Sequence, residues 1–306
     1  MIMQKTIGRV IEFSGIGLHT GHDINVRIIP SREDTGVTFV RKDIQGAPAI
    51  KAEPSNVVAT SYATSLGSNG VTVSTVEHLM AAFYGLGIDN AVVELDGPEV
   101  PIMDGSSARF VELIEDAGLS ILASARRYLV VKRPIKVAER DKYILLMPAR
   151  GSELSIDYSI DFAHEFLSSQ SYSGRFSRSA FTGEMARART FGFLKDVEML
   201  RANGLARGGS PSNAIVIGDT GILNTGGLRY PDEFVRHKVL DMMGDLSLLG
   251  APIIGRLVAH RAGHSLNHSL VKEIMRRPMR WELTESRPVE EILSAGPVVM
   301  EKMASI

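Results

Sequence analysis

PDEFVRHKVLDMMGDLSLLG, residues 231–250, is the stretch on which the reading of this chain turns. Pro231, Asp232 and Glu233 open it as a helix. Proline suits the first helical position, where no backbone N–H is needed, and acidic side chains suit the positive end of the helix dipole. The helix is expected to run to about Leu249 and to stop at Gly250. Val239, Leu240, Met242, Met243, Leu246 and Leu248 are apolar, whereas His237, Asp241 and Asp245 stand four apart and share one face. A polar stripe on so apolar a helix needs partners. One reading is an exposed face on which Lys238 pairs with Asp241. Against it, Asp241 and Asp245 are like charges one turn apart, a mildly destabilising arrangement that a bound cation or an imidazolium from elsewhere would relieve. His and Asp at this spacing can also ligate one metal, because both side chains project to the same point.

Outward from this helix, residues 214–218 (AIVIG) read as a strand closed by Asp219, Thr220 and Gly221, and residues 268–277 as a last helix. Residues 180–202 read as helical at both ends and interrupted at 189–193. Leu154, Ile156, Tyr158, Ile160 and Phe162 alternate with Ser155, Asp157, Ser159 and Asp161, the pattern of a half-buried strand. Residues 126–137 and 142–147 also look like strands. The first half has a similar order. Ile24, Val26 and Ile28 alternate with polar residues, and Val37 and Phe39 follow a polar turn. Ser74 to Glu77 fits a capping box, in which a Ser oxygen and a Glu three residues on satisfy each other's free N–H groups. Val76, Leu79, Met80 and Phe83 continue it at helical spacing, with Gly85 and Gly87 as stops. Residues 90–95 read as a strand, Asp96-Gly97 as a turn, and residues 106–117 as a helix ended by Gly118. Each half thus runs strands, helix, strand, helix, without a strict repeat, and the best boundary lies near 118–127. The expected class is α+β, with helices packed on mostly antiparallel sheets.

Composition bounds the function. A length of 306 residues suggests about two domains. Hydrophobic residues at 44% and charged residues at 23% are ordinary globular values, which exclude a disordered chain. Lys and Arg number 34 against 35 Asp and Glu, a net charge of −1 that carries no footprint for nucleic acid, though it leaves room for a local basic pocket. Cysteine is absent, which removes disulfides, thiolate nucleophiles, iron–sulfur clusters and Cys-ligated zinc. Any metal must be held by His, Asp or Glu. Residues 1–15 have no apolar run of the signal-peptide kind, and no window approaches the ~18 apolar residues of a membrane span. A cytoplasmic protein is expected. The tail at 287–306 has no evident charge run.

Two further segments offer chemistry. Glu77 is by its simplest reading the capping-box acid, and His78 a satisfied, partly buried histidine. Set beside His237 and Asp241, however, His78 completes a trio of nitrogen and oxygen ligands. Three protein ligands leave zinc a fourth position for water, the catalytic arrangement, and zinc brings the pKa of that water towards ~7. A glutamate adjacent to a ligand, Glu77, can then act as base. In HRAGHSLNH (260–268), His264 is on local grounds part of a polar loop. It could instead be a general acid for a leaving amine, with Asp245 holding its tautomer and charge. HExxH, Walker A and nucleophile-elbow motifs are absent. GIGLHTG (15–21) has the wrong spacing for a dinucleotide site and reads as a turn or binding loop.

Six blocks occur in order: STVEHLMAA (74–82), GIDN (87–90), PIMDGS (101–106), ARTFGF (188–193), FVRHKVLDMMGD (234–245) and GHSLN (263–267). Together they resemble the UDP-3-O-acyl-N-acetylglucosamine deacetylases, the LpxC family of zinc amidases of lipid A biosynthesis in Gram-negative bacteria, and the match spans essentially the whole chain. The resemblance implies an α+β fold of two domains, 1–124 and 125–306, of similar β-α-α-β topology, with helix layers packed between two mostly antiparallel sheets and the site between the domains. It implies one catalytic zinc on His78, His237 and Asp241, Glu77 as general base, and His264 as general acid oriented by Asp245. Thr190 falls at the oxyanion position, with Lys238 assisting by its charge. Lys142, Asp161, Phe162 and Arg261 would contact uridine diphosphate and glucosamine, Phe191 would also contact substrate, and His19 would lie at its acyl or phosphate end. Phe162 could equally be strand-end packing, and Asp161 merely exposed. An insert at about 193–217 would build a passage for the acyl chain, with Leu194, Val197, Met199, Leu200, Leu205, Val216 and Ile217 as lining candidates or as a face packed on its own domain. Ala206 stands where some members have cysteine, with no loss of chemistry expected. The implied reaction frees the 2-amine and acetate, the committed step of lipid A biosynthesis, in a monomeric enzyme. Two other classes remain at this point: a metal hydrolase acting on another sugar nucleotide, and a non-catalytic nucleotide-sugar binder. The intact set of Glu77, His78, His237, Asp241 and His264 argues against the second.

Overall fold

A computed structural model describes residues 1–162, 167 and 169–285; the tail at 287–306 lies outside the described residues. The first half opens with β1 (Met3–Ile7), β2 (Ile11–Ile16), β3 (Asp23–Pro30), β4 (Val37–Arg41) and β5 (Ile50–Lys51). A small three-stranded sheet follows, β6 (Val57–Ala59), β7 (Ser65–Ser68) and β8 (Val71–Val73). Then come α1 (Glu77–Leu86), β9 (Ala91–Leu95), α2 (Ala108–Ala117) and β10 (Leu119–Ala125). In the main sheet the order is β2-β3-β9-β4-β5, with β9 antiparallel to β3 and parallel to β4. The stretch in which the sequence puts the boundary is itself structured: β10 returns antiparallel to β1.

The second half opens with β11 (Tyr128–Val131), β12 (Ile135–Glu139), β13 (Lys142–Met147), β14 (Leu154–Ile160) and β15 (Gln170–Phe176). One helical turn, α3 (Arg178–Ala180), runs on into a wider one at Phe181–Met185. Then come β16 (Phe191–Phe193), α4 (Leu194–Ala202), β17 (Ile215–Gly218) and β18 (Gly221–Ile222). The chain continues through α5 (Glu233–Ser247), β19 (Ile253–His260), α6 (His264–Arg276) and β20 (Trp281–Thr284). β19 plays the part of β9: it is antiparallel to β13 and parallel to β14, which pair in turn with β12 and β15. β11 and β20 pair antiparallel as β1 and β10 do. The two halves therefore repeat one strand plan, with β9 between α1 and α2 in the first and β19 between α5 and α6 in the second. The class expected from the sequence, α+β with mostly antiparallel sheets, is the one found.

Local patterning explains most of these elements. β14 alternates buried and half-buried residues along its length, as its period-two pattern requires. α5 is buried on nearly every side, because it lies between α1 and α6 rather than on the surface. Four local expectations are corrected. The capping box does not form: Val76 is the N-cap without a side-chain bond, Ser74 Oγ donates to the Pro98 carbonyl, and Glu77 turns inward to the Thr64 N–H. The expected strand 126–137 breaks at residues 132–134, where Pro134 cannot donate to a ladder. α5 starts at Glu233, with Asp232 as N-cap and Pro231 outside it, and ends at Ser247. α6 starts at His264, four residues early, because Gly263 takes the extended N-cap conformation.

A glycine sets the spacing of the central helices. A Cβ built on Gly244 of α5 would lie 2.1 Å from the Glu77 carbonyl oxygen of α1. The obstacle is backbone, so it cannot swing aside, and the two axes would have to separate. Gly244→Ala should therefore lower the unfolding free energy by about 1–3 kcal/mol. Gly183→Ala, with no atom within 4 Å of the added Cβ, should stay within about 0.5 kcal/mol. Denaturant midpoints of the two variants measure the difference.

Candidate active site

Tight packing of α1 on α5 brings together the polar residues that each presents. His78 enters from the first turn of α1, and His237 and Asp241 from successive turns of α5. His78 Nε2 lies 3.5 Å and His237 Nε2 3.2 Å from Asp241 Oδ1, and all three side chains are buried. The candidate ligand atoms lie within 4.8 Å of one another. His237 Nδ1 donates to the Ala188 carbonyl at 3.0 Å, which leaves the lone pair on Nε2 facing the carboxylate. Burial, against the pull of Asp241, lowers the His237 pKa to about 3, so this imidazole is neutral. Asp241 Oδ1 has no hydrogen-bond partner. Burial alone would raise the Asp241 carboxyl, but His237, Lys238 and His264 outweigh it and hold it well below the usual carboxylate range. The His237 Nε2 lone pair and the Asp241 carboxylate thus face one point, with His78 Nε2 beside them, and such a donor set suits a cation.

Lys238 donates to Asp241 Oδ2 at 2.7 Å, as the sequence suggested, but the pair faces the interior because Asp241 is buried. The Lys238 ammonium also lies 5.6 Å from the Phe191 ring centroid. Phe191 in turn meets Phe162 edge-on at 5.8 Å.

Next to the trio stands an acid–base pair. Glu77 Oε2 accepts the Thr64 N–H at 3.0 Å, and Oε1 lies 3.6 Å from His264 Nε2. Burial raises the Glu77 pKa, against the nearby imidazoles. His264 donates from Nδ1 to Asp245 Oδ2 at 2.8 Å. Burial disfavours its charge, but Asp245 and Glu77 overcome that and bring its pKa up to about 10. The like charges at Asp241 and Asp245 are therefore answered separately, one by Lys238 and the other by His264.

The remaining expected site residues divide. Thr190 is tied by its backbone to Gly105 and Ile215, one residue from Phe191. Arg189 and Glu233 form a buried ion pair at 2.8 Å that anchors this segment to the start of α5. His19 lies in a turn whose N–H groups bond the buried Glu99 carboxylate, and its Nδ1 accepts the Ala206 N–H at 3.4 Å. Lys142, Asp161 and Arg261 are not joined to the His78, His237 and Asp241 cluster. They gather at one end of the second sheet, where Lys142 and Asp161 are exposed and Arg261 pairs with Asp141 at 2.7 Å. In the 193–217 segment, α4 buries none of its residues, and Leu194 and Met199 are each 49% exposed. Val197, Leu200, Leu205 and Val216 are half-buried, and Ile217 is buried. The turn at Ala206 has a positive φ of 52°. Sequence reasoning missed Thr64, Asn267, Glu99 and the Arg189–Glu233 pair. Asn267 and Arg189 carried a signal, as members of the GHSLN and ARTFGF blocks, and Glu233 one as a helix-opening acid.

In the metal-free protein, His264 should remain an imidazolium at pH 8 while His237 stays neutral, as read from ring-nitrogen NMR shifts. Because the folded-state pKa of His264 lies above its ordinary 6.5, its contribution to stability is full below about pH 6.5. It is lost as the pH rises through about 10. Denaturation of His264→Ala against wild type across that window should show the difference closing.

Comparison with known proteins agrees with this geometry. The family model described as UDP-3-O-acyl N-acetylglycosamine deacetylase matches residues 4–276. A UDP-3-O-acyl-N-acetylglucosamine deacetylase of Citrifermentans bemidjiense is 52% identical over 288 residues, 94% of each chain. The protein of that name from Myxococcus xanthus is 48% identical over 93% of this chain and 90% of its own. One from a Shewanella species is 46% identical over 92% and 93%. With all three cation-site residues, the acid–base pair and this similarity on both sides of the helix interface, the chain belongs to the UDP-3-O-acyl-N-acetylglucosamine deacetylase family, LpxC.

Proposed function

We propose that this protein is a zinc-dependent amidase that removes the acetyl group from the 2-amine of UDP-3-O-acyl-N-acetylglucosamine in lipid A biosynthesis. The observation that carries the reading is the buried convergence of His78, His237 and Asp241, with Glu77 and His264 beside it, in a chain of this family. The donor set suits zinc: two imidazoles, one held neutral by its burial, and one carboxylate with an unpartnered oxygen. His78, His237 and Asp241 would hold the ion. Bound there, zinc supplies Lewis acidity, lowering the pKa of a water and polarising the acetamide carbonyl.

The chain's own groups supply the proton transfers. Glu77 Oε1 takes a proton as water adds to the carbonyl carbon. Its raised pKa suits a base that works near neutral pH. The C–N bond then breaks, its electron pair leaves with the 2-amine, and His264 Nε2 gives that nitrogen a proton. Acetate and the free amine result. Asp245 holds the His264 charge and orientation through Nδ1. Lys238, beside Asp241, and Thr190 act as donors to the oxygen that gains charge.

For the rest of the substrate, Phe191 offers a ring next to Lys238, with Phe162 packed edge-on against it. Lys142, Arg261 and Asp161 offer polar contacts for the nucleotide at the sheet end, and His19 lies towards the acyl or phosphate end. The half-exposed apolar residues of α4 supply a surface for the acyl chain. The reading includes a domain boundary at 124/125, supported by sheets that, among the described residues, never pair a strand before residue 126 with one after it. It also includes a monomer acting in the cytoplasm, where nucleotide-linked sugars are available; among the described residues no helix is long and apolar enough to cross a membrane.

Glu77→Ala should keep its zinc and lose about 10²–10⁴-fold in turnover, and full activity would remove it as base. His237→Ala should lower bound zinc by elemental analysis; unchanged stoichiometry would remove it as a ligand. Acetate release measured with UDP-3-O-acyl-N-acetylglucosamine and with unacylated UDP-N-acetylglucosamine separates this activity from that of another amidase.

A further inference from the structure

Thr64 has no part in the reaction just described, yet it is bonded to both of its proton-handling sides. Its N–H donates to Glu77 Oε2 at 3.0 Å. Its hydroxyl donates to Asp245 Oδ1 at 2.5 Å and lies 3.3 Å from His264 Nδ1. The side chain is buried, and the residue comes from the segment between β6 and β7, whereas Asp245 and His264 belong to α5 and α6. One first-half residue thus reaches across the helix interface to the acid and holds the base as well.

We propose that Thr64 is a positioning residue: its hydroxyl fixes the Asp245 carboxylate, and through it aims His264 Nε2 at the point that Glu77 Oε1 also faces. The inference rests on reading Glu77 and His264 as base and acid. The carboxylate geometry carries it. Asp245 Oδ2 already accepts from His264 Nδ1 and from Asn267 Nδ2, each at 2.8 Å. Oδ1 has Thr64 as its hydrogen-bond donor. A carboxylate turns easily about its last torsion, which is broad and roughly two-fold. Two donors on one oxygen resist that rotation from one side only, and the Thr64 donor on the other oxygen adds the restraint from the opposite side. Without the hydroxyl, a buried anionic oxygen also loses its donor, and such bonds are among the stronger ones. On the base side, engaging Glu77 Oε2 by the N–H leaves Oε1 as the oxygen nearest His264 Nε2. The Thr64 backbone is held separately, its carbonyl accepting the Val76 N–H, so side-chain substitution addresses the hydroxyl alone.

Thr64→Val removes the hydroxyl at nearly constant shape, Thr64→Ser keeps it, and Thr64→Ala serves if the valine variant does not fold. Two readouts are taken: kcat and KM for acetate release by the zinc-loaded enzyme, and the NMR resonance of the His264 Nδ1 proton in the metal-free protein, assigned by its loss in His264→Ala. Thr64→Val should lower kcat about 10- to 100-fold with KM and zinc content unchanged. It should shift the Nδ1 proton or expose it to exchange, and Thr64→Ser should restore both. A valine variant with wild-type kcat and an unmoved proton overturns the proposal. So does a serine variant as impaired as valine, which would make the role one of packing. If the wild type releases no acetate, the functional reading fails on its own, and the Nδ1 proton in Thr64→Val still decides the position of Thr64.

Discussion

The close approach of α1 to α5 is the constraint on which the rest of this structure depends. At Gly244 the absence of a side chain lets the α5 backbone lie against the Glu77 carbonyl. That contact brings Glu77 and His78 within reach of His237, Asp241 and, through His264, Asp245. Each helix carries only part of the site, so its geometry is a property of the interface between them. Other close contacts support the same arrangement. Ser107 Oγ donates to the His78 carbonyl at 2.7 Å, and the buried Glu99 carboxylate ties the His19 turn to Thr75. The Thr75 φ of 56° is unusual for a β-branched residue, and the bond to Glu99 helps to hold it there.

Putting six acidic or imidazole groups in one dry space is electrostatically expensive unless their charges are matched. The structure divides the problem. Asp241 is held anionic by the Lys238 ammonium and the His264 imidazolium, and keeps one oxygen without a hydrogen-bond donor. Asp245 spends both of its oxygens on His264, Asn267 and Thr64. Two carboxylates one turn apart on a single helix thereby acquire different characters, one open to a cation and the other committed to an imidazolium. The two histidines separate in the same way: His237 is driven neutral by burial, while His264 is charged by its carboxylate neighbours.

Much of this was legible before any coordinates, though unevenly. The β14 alternation and the apolar sides of α5 are periodic over several turns or repeats, so their elements are found where expected. β19 carries no clear strand signal in the sequence, although it is the central strand of the second sheet; it is flanked on both edges and its run of IIGRLVAH does not alternate cleanly. β15 is equally silent, because QSYSGRF has few apolar residues to reveal an edge strand. The capping box shows the opposite failure. Ser74 and Glu77 have the right spacing, yet both side chains find partners outside the helix, at Pro98 and Thr64.

The sequence by itself determined the chemistry available: no thiolates, a helix with His237, Asp241 and Asp245 on one stripe, Glu77 next to His78, and the ordered blocks that mark the family. Those are matters of residue type and of periodicity along one element, which a linear reading can carry. Only the tertiary structure decided which atoms face one another. The inward turn of Glu77, the approach of His78 to Asp241 and the three donors on Asp245 each join residues from separate elements. Thr64 and Asp245, for instance, are 181 positions apart. Such contacts follow from how helices and sheets pack, and no local pattern in the chain records them.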